Sequence, residues 1–140
     1  MSLVIDASVA LKWFFAENLH EAALRILDRE SDLLAPELIL VEVANALWKK
    51  AMRGEIQASD AEEIVTLLDP HFTPFFPTFS LLPRAQQIAF ELRHPVYDCI
   101  YIACAEASEA TLVTDDRRLL SVVGGTAFGS LISPLAGWSI

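Results

Sequence analysis

Short apolar runs alternate with longer stretches in which apolar residues recur every three to four positions. Leu3-Val4-Ile5 opens this pattern, is closed by Asp6, and reads as a buried strand. Ser8 is placed to cap a helix through about Ala16, which carries Trp13, Phe14 and Phe15. A second helix is expected from about Leu19 to Glu30, with Ala23, Ile26 and Leu27 on one face and Arg25, Asp28 and Arg29 elsewhere. Leu33-Leu34-Ala35 forms the next strand, stopped by Pro36. Proline is tolerated at a helix start, so the longest helix is expected from about Glu37 to Arg53. Leu38, Val41, Ala44, Leu47 and Trp48 make its stripe, and Gly54 ends it.

Ser59-Asp60-Ala61-Glu62 has the form of a capping box, opening a helix to about Leu68 that Pro70 breaks. Residues 70–79 carry three prolines and four phenylalanines and read as an extended crossing, with a short strand near Phe76 to Thr78. A helix from about Leu81 to Arg93, with Pro83 in its first turn, ends at His94-Pro95. The next helix spans about Asp98 to Ala107. Thr111-Leu112-Val113-Thr114 is a strand, and the Gly- and Ser-rich stretch from Gly124 onward contains an edge strand.

Short strands alternating with longer helices imply parallel βαβ units. The expected fold is a three-layer α/β/α sandwich with a short central parallel sheet, built as a single domain over residues 1–140. Sites in such sheets form at the carboxyl ends of the strands. That rule gives the acids their meaning. Asp6 follows the first strand, Asp115 and Asp116 follow the late one, Asp98 opens a helix of apolar residues, and Glu42 interrupts an apolar helix.

Composition narrows the chemistry. Of 140 residues, 54% are hydrophobic and 21% charged, enough apolar material for a full core. Ten Lys and Arg against 19 Asp and Glu leave a net charge of −9, which disfavours a simple electrostatic nucleic-acid binder. No apolar run approaches the roughly 20 residues of a membrane span, and the first residues lack a basic leader, so a cytoplasmic protein is expected. Cys99 and Cys104 stand five apart on a helix and read as buried free thiols, not a bridge or a zinc site.

Singly, each acid has an ordinary role as a cap, a turn residue or a solvated position. Jointly, carboxylates from four segments that the topology can gather repel one another unless a cation is present. Oxygen donors suit Mg²⁺, which keeps waters and leaves room for phosphate. Such a centre suits phosphodiester hydrolysis.

Four pieces carry a family resemblance. They are Val4-Ile5-Asp6-Ala7-Ser8; Pro36-Glu37-Leu38 with Glu42-Val43-Ala44-Asn45-Ala46-Leu47; Tyr97-Asp98-Cys99-Ile100-Tyr101-Ile102-Ala103; and Leu112-Val113-Thr114-Asp115-Asp116-Arg117-Arg118-Leu119. In this order they resemble the PIN-domain family, most closely its VapC-type toxins. The resemblance implies a Mg²⁺- or Mn²⁺-dependent endoribonuclease, commonly dimeric, leaving a 5′-phosphate and a 3′-hydroxyl. It implies an inhibitory antitoxin partner that inserts near the acids. It implies Asp6, Asp98 and Asp116 as metal ligands, with Glu42 binding metal directly or through water. Ser8 and Thr114 are implied as auxiliary groups. The family's late motif places its acid two after the threonine, which selects Asp116 and leaves Asp115 auxiliary.

Lys12, Lys49 and Arg117 are the expected contacts to RNA backbone. The aromatics are expected in the core or a dimer interface more than in base stacking. Three other readings stay open: a PIN-like protein-binding module without catalysis, a PIN nuclease that processes RNA outside toxin–antitoxin systems, and a phosphoacceptor α/β domain. The last wants a second early acid where Ser8 stands.

Overall fold

The computed structural model describes residues 2–28, 32–72 and 75–138. Among them, five strands form one parallel sheet in the order β3-β2-β1-β4-β5. The strands are β1 (Leu3–Ile5), β2 (Leu33–Pro36), β3 (Phe75–Phe76), β4 (Thr111–Thr114) and β5 (Ile132–Pro134). Seven α-helices flank the sheet: α1 (Ala7–Ala10), α2 (His20–Leu27), α3 (Leu38–Met52), α4 (Ala58–Leu68), α5 (Thr78–Leu92), α6 (Val96–Ser108) and α7 (Arg117–Val123). The expected α/β sandwich with a short parallel sheet is the fold.

β1 is central. Val4 stands opposite Leu34 of β2 and Leu112 of β4. Leu3, Val4 and Ile5 are fully buried, each worth about 1.5–3 kcal/mol over the exposed state. Because β1 and β4 are parallel and in register, Asp6 and Asp116 emerge at the same edge of the sheet. α6 lies against β1, β2 and β4, with α5 along it. Cys99 through Ala105 of α6 are all buried, so the middle of this helix is enclosed on every side. Both cysteines are buried free thiols, and burial pushes them up to about 11 for Cys99 and about 12 for Cys104.

Several local expectations change. Asp6, not Ser8, caps the first helix, and α1 gives way to a 3₁₀ turn at Leu11–Trp13 well before Ala16. The two-residue retreat follows from chemistry, since Ser8 spends its hydroxyl on Asp6 itself. Gln57 and Asp60 form the capping box of α4, two residues before the expected window at Ser59–Glu62. α5 begins at Thr78, so Pro83 lies inside the helix and not in its first turn. The short strand lies at Phe75–Phe76, ahead of the expected Phe76–Thr78. α6 starts two residues before Asp98. α7 is a helix that the sequence pattern did not register. The expected end of the second helix at Glu30 lies outside the described residues.

Gly54 closes α3 at φ +76°, a left-handed position where glycine carries no Cβ penalty. Arg93 ends α5 in the same region, at φ +54°. The resulting sharp turn folds His94 inward, where it is buried.

Candidate functional site

Asp6 is the hub of the site. Its Oδ1 accepts the Val9 N–H at 3.2 Å and the Ser8 hydroxyl at 2.6 Å. Its Oδ2 accepts the hydroxyl of Thr114, which ends β4. Each hydroxyl in turn accepts a backbone N–H from the turn after β4. Asp115 N donates to Ser8 Oγ and Asp116 N to Thr114 Oγ1, both at 3.0 Å. The turn therefore orients the hydroxyls, and the hydroxyls hold the carboxylate. Three of about four lone-pair positions on Asp6 are used. Burial still dominates and pushes Asp6 up to about 7, against the lowering effect of these bonds and with the charge of Asp98 adding to it.

Glu42 lies in the second turn of α3. Tyr101, on α6, donates its hydroxyl to Glu42 Oε1 at 2.5 Å. Burial holds Glu42 above the usual carboxylate range. The Tyr101 bond opposes this, and the charges of Asp98 and Asp116 add to it. Asp98 is the third residue of α6, and its Oδ2 lies 2.6 Å from His94 Nε2. Asp116 caps α7, accepting from Arg118 N at 3.0 Å and Leu119 N at 3.1 Å.

These pieces meet. Asp6, Glu42, Asp98 and Asp116 line one cavity of about 120 Å³, together with Ala7, Ser8 and Tyr101. Four carboxylates from four separated segments share it. No described helix is long and apolar enough to cross a membrane.

A sequence model of the PIN domain matches residues 3–125 of the chain. The chain belongs to the PIN-domain family. Within it, the relatives are VapC proteins. Ribonuclease VapC3 of Pyrobaculum aerophilum is 32% identical over 140 residues, spanning 96% of this chain and 100% of its own. Ribonuclease VapC1 of Mycobacterium tuberculosis is 31% identical over 123 residues, spanning 86% and 90%. Among solved structures, PAE2754 from Pyrobaculum aerophilum superposes with a TM-score of 0.70 at 27% identity, over 98% of this chain and 85% of that one. VapBC2 from Rickettsia felis, solved with a DNA fragment from its promoter, shares the fold at a TM-score of 0.65 and 10% identity, over 99% and 100%.

The donor chemistry of this PIN cavity fits a hard divalent cation. Its groups are carboxylates, and two of them, Asp6 and Glu42, are driven toward the neutral form by burial first, with the charge of Asp98 adding to it at both and that of Asp116 at Glu42. Among the described residues, no three His, Cys, Asp or Glu side chains close directly on one point. An ion that keeps several waters and takes few direct carboxylates suits that spacing; a closed protein cage does not.

The remaining expected residues fall differently. Asp115 does not line the cavity and pairs with Lys12 Nζ at 3.2 Å. Lys12 also donates to the carbonyl of Asn18 at 2.9 Å, so its ammonium is committed to the fold. Lys49 and Arg117 are exposed. Trp13 and Phe72 are buried as expected of core aromatics, and Trp13 Nε1 donates to the Ala23 carbonyl at 3.0 Å. Two partners of the acids escaped the sequence reading, Tyr101 and His94. Neither carries a decisive signal, since Tyr101 sits in an apolar run and His94 stands before Pro95, in the turn ahead of α6.

Proposed function

We propose that this chain is a divalent-metal-dependent endoribonuclease and the toxin of a toxin–antitoxin pair. The observation that carries the reading is the single cavity shared by Asp6, Glu42, Asp98 and Asp116 at the carboxyl edge of the sheet. The VapC ribonucleases among its relatives support it. Asp6, Asp98 and Asp116 are the ligands for Mg²⁺, with Mn²⁺ acceptable to the same donors, and Glu42 holds the ion or orients its water. When bound, the ion supplies an activated water and counter-charge for the phosphate. Ser8 and Thr114 fix the Asp6 carboxylate. Asp115 acts from outside the cavity by holding Lys12.

The substrate reaches a protein of net charge −9, so local cations matter. Lys49 lies two turns beyond Glu42 on the same face of α3, and Arg117 follows Asp116 directly. Both are exposed and are the proposed RNA backbone contacts. Lys12 is less available, being paired with Asp115.

The surface has room for the proposed protein partners. Trp48 and Met52 are exposed beside an apolar hollow of about 260 Å³ between α3 and α4, a fit for an antitoxin's apolar anchor. Phe79 and Phe90 are exposed along α5 and suit a second copy of the chain.

The test is cleavage of a mixed cellular RNA pool with Mg²⁺, Mn²⁺ or EDTA, by wild type and Asp98→Asn in parallel. Discrete products that need metal and vanish in the variant are expected. Equal cleavage by both proteins, or in EDTA, overturns the reading.

A further inference from the structure

The Tyr101 hydroxyl joins two of the four acid-bearing segments. It donates to Glu42 Oε1 at 2.5 Å and accepts the backbone N–H of Ala7, the residue after Asp6. Its ring is 1% exposed in the core of α6, so the oxygen has little freedom to move. The chain of contacts runs from the start of α1, through one phenol, to the carboxylate on α3. Glu42 is otherwise an acid on the second turn of a long helix. Its side chain has three rotatable bonds, and the other donors of the cavity are engaged elsewhere.

We infer that Tyr101 is a positioning residue, whose hydroxyl fixes the Glu42 carboxylate in the cavity at a set offset from Asp6. The inference rests on the reading that this cavity holds a divalent ion. Tyr101 acts through Glu42 and not on the ion or substrate itself. A buried hydroxyl serves this better than a charged partner. It holds the carboxylate by one directed bond and leaves the negative charge of the cavity uncancelled. Groups that hold metal-binding carboxylates in place typically change affinity by about 10–100-fold when removed. The same contact explains why a tyrosine occurs in a run of small and aliphatic residues where α6 crosses the sheet. A phenylalanine would pack equally well there and leave both Glu42 and the Ala7 N–H short of a bond.

Tyr101→Phe keeps the ring and removes only the oxygen. Mn²⁺ binding by the metal-free protein, measured calorimetrically, should weaken about tenfold in this variant. The melting temperature in EDTA is read alongside it to show that the variant folds. Tyr101→Phe added to Glu42→Ala should weaken Mn²⁺ binding no further, because the carboxylate that Tyr101 positions is already gone. Wild-type affinity in Tyr101→Phe overturns the inference, as does a full additional loss on the Glu42→Ala background. Absence of Mn²⁺ binding by wild type overturns this inference and the metal reading together. Mn²⁺ binding coupled as described, without RNA cleavage by wild type, supports the role of Tyr101 and sinks the nuclease.

Discussion

His94, in the turn before α6, places its Nε2 2.6 Å from Asp98 Oδ2, with the imidazole almost wholly buried and the carboxylate partly open to the cavity. The acid is thus braced from behind, and among the described residues no hydrogen bond engages its other oxygen. His94→Ala removes the brace and leaves a gap. A loss of about 1–3 kcal/mol is expected in denaturant melts, with RNA cleavage reduced. His94→Gln puts an amide donor near the position of Nε2 and should recover part of the cleavage. Full activity in His94→Ala would show that Asp98 needs no brace.

The protonation of Asp6 makes stability without metal depend on pH. The folded value is about 7 and the ordinary value 3.8. Between them the folded chain keeps a proton that the unfolded chain has released, so stability falls as pH rises. This contribution is complete below about pH 3.8 and lost as pH passes through about 7. Glu42, also raised, acts in the same direction. In EDTA, wild type should lose on the order of a few kcal/mol relative to Asp6→Asn between these limits. Urea melts of both proteins across the range decide it, and parallel curves count against it.

Thr114 is fully buried, with its hydroxyl between Asp6 and the Asp116 N–H. Thr114→Val preserves shape and removes both bonds. A cost of about 1–3 kcal/mol is expected, because two polar groups lose their partner in the interior. Thr114→Ser should keep most of the cleavage that Thr114→Val loses. Equal rates for the two variants would remove the hydroxyl from the account.

Lys12 and Lys49 should separate cleanly. Lys49→Ala is expected to weaken RNA binding and flatten its salt dependence by about one unit or less of slope, with Mn²⁺ affinity unchanged. Lys12→Ala should leave the salt slope alone, since its ammonium is bound to Asp115 and the Asn18 carbonyl. Titrations at several salt concentrations distinguish them. A change in slope for Lys12→Ala alone would reverse the assignment.

Much of this architecture is legible in the residues. Leu3–Ile5 and Thr111–Thr114 fall at their expected strand positions because short apolar and β-branched runs that end at an acid have few other uses. Asp6, Glu42, Asp98 and Asp116 meet in one cavity because the topology rule fixes which edge they share. The failures are local. Ser8 has the form of a cap, but a hydroxyl beside a buried carboxylate serves that carboxylate first. Pro83 looks like a first-turn proline, yet the Leu38 N–H bonds Thr78 Oγ1 at 2.9 Å, and α5 starts there. Tyr101 and His94 are hidden because a tyrosine in an apolar helix and a histidine in the turn before it look like core. Only the fold reveals which acid each one meets.

The sheet order carries a consequence for how the chain is made. β1 sits between β2 and β4, and its second neighbour is synthesised long after the first. A nascent chain that stops short of β4 holds Asp6 without the Thr114 hydroxyl or the N–H groups that aim it. It also lacks Asp116. Such late, non-local pairing forms slowly and after the local helices. The four-acid centre therefore does not exist on the ribosome until Asp116 has cleared the exit tunnel. Interrupted synthesis yields fragments in which that centre has never been assembled.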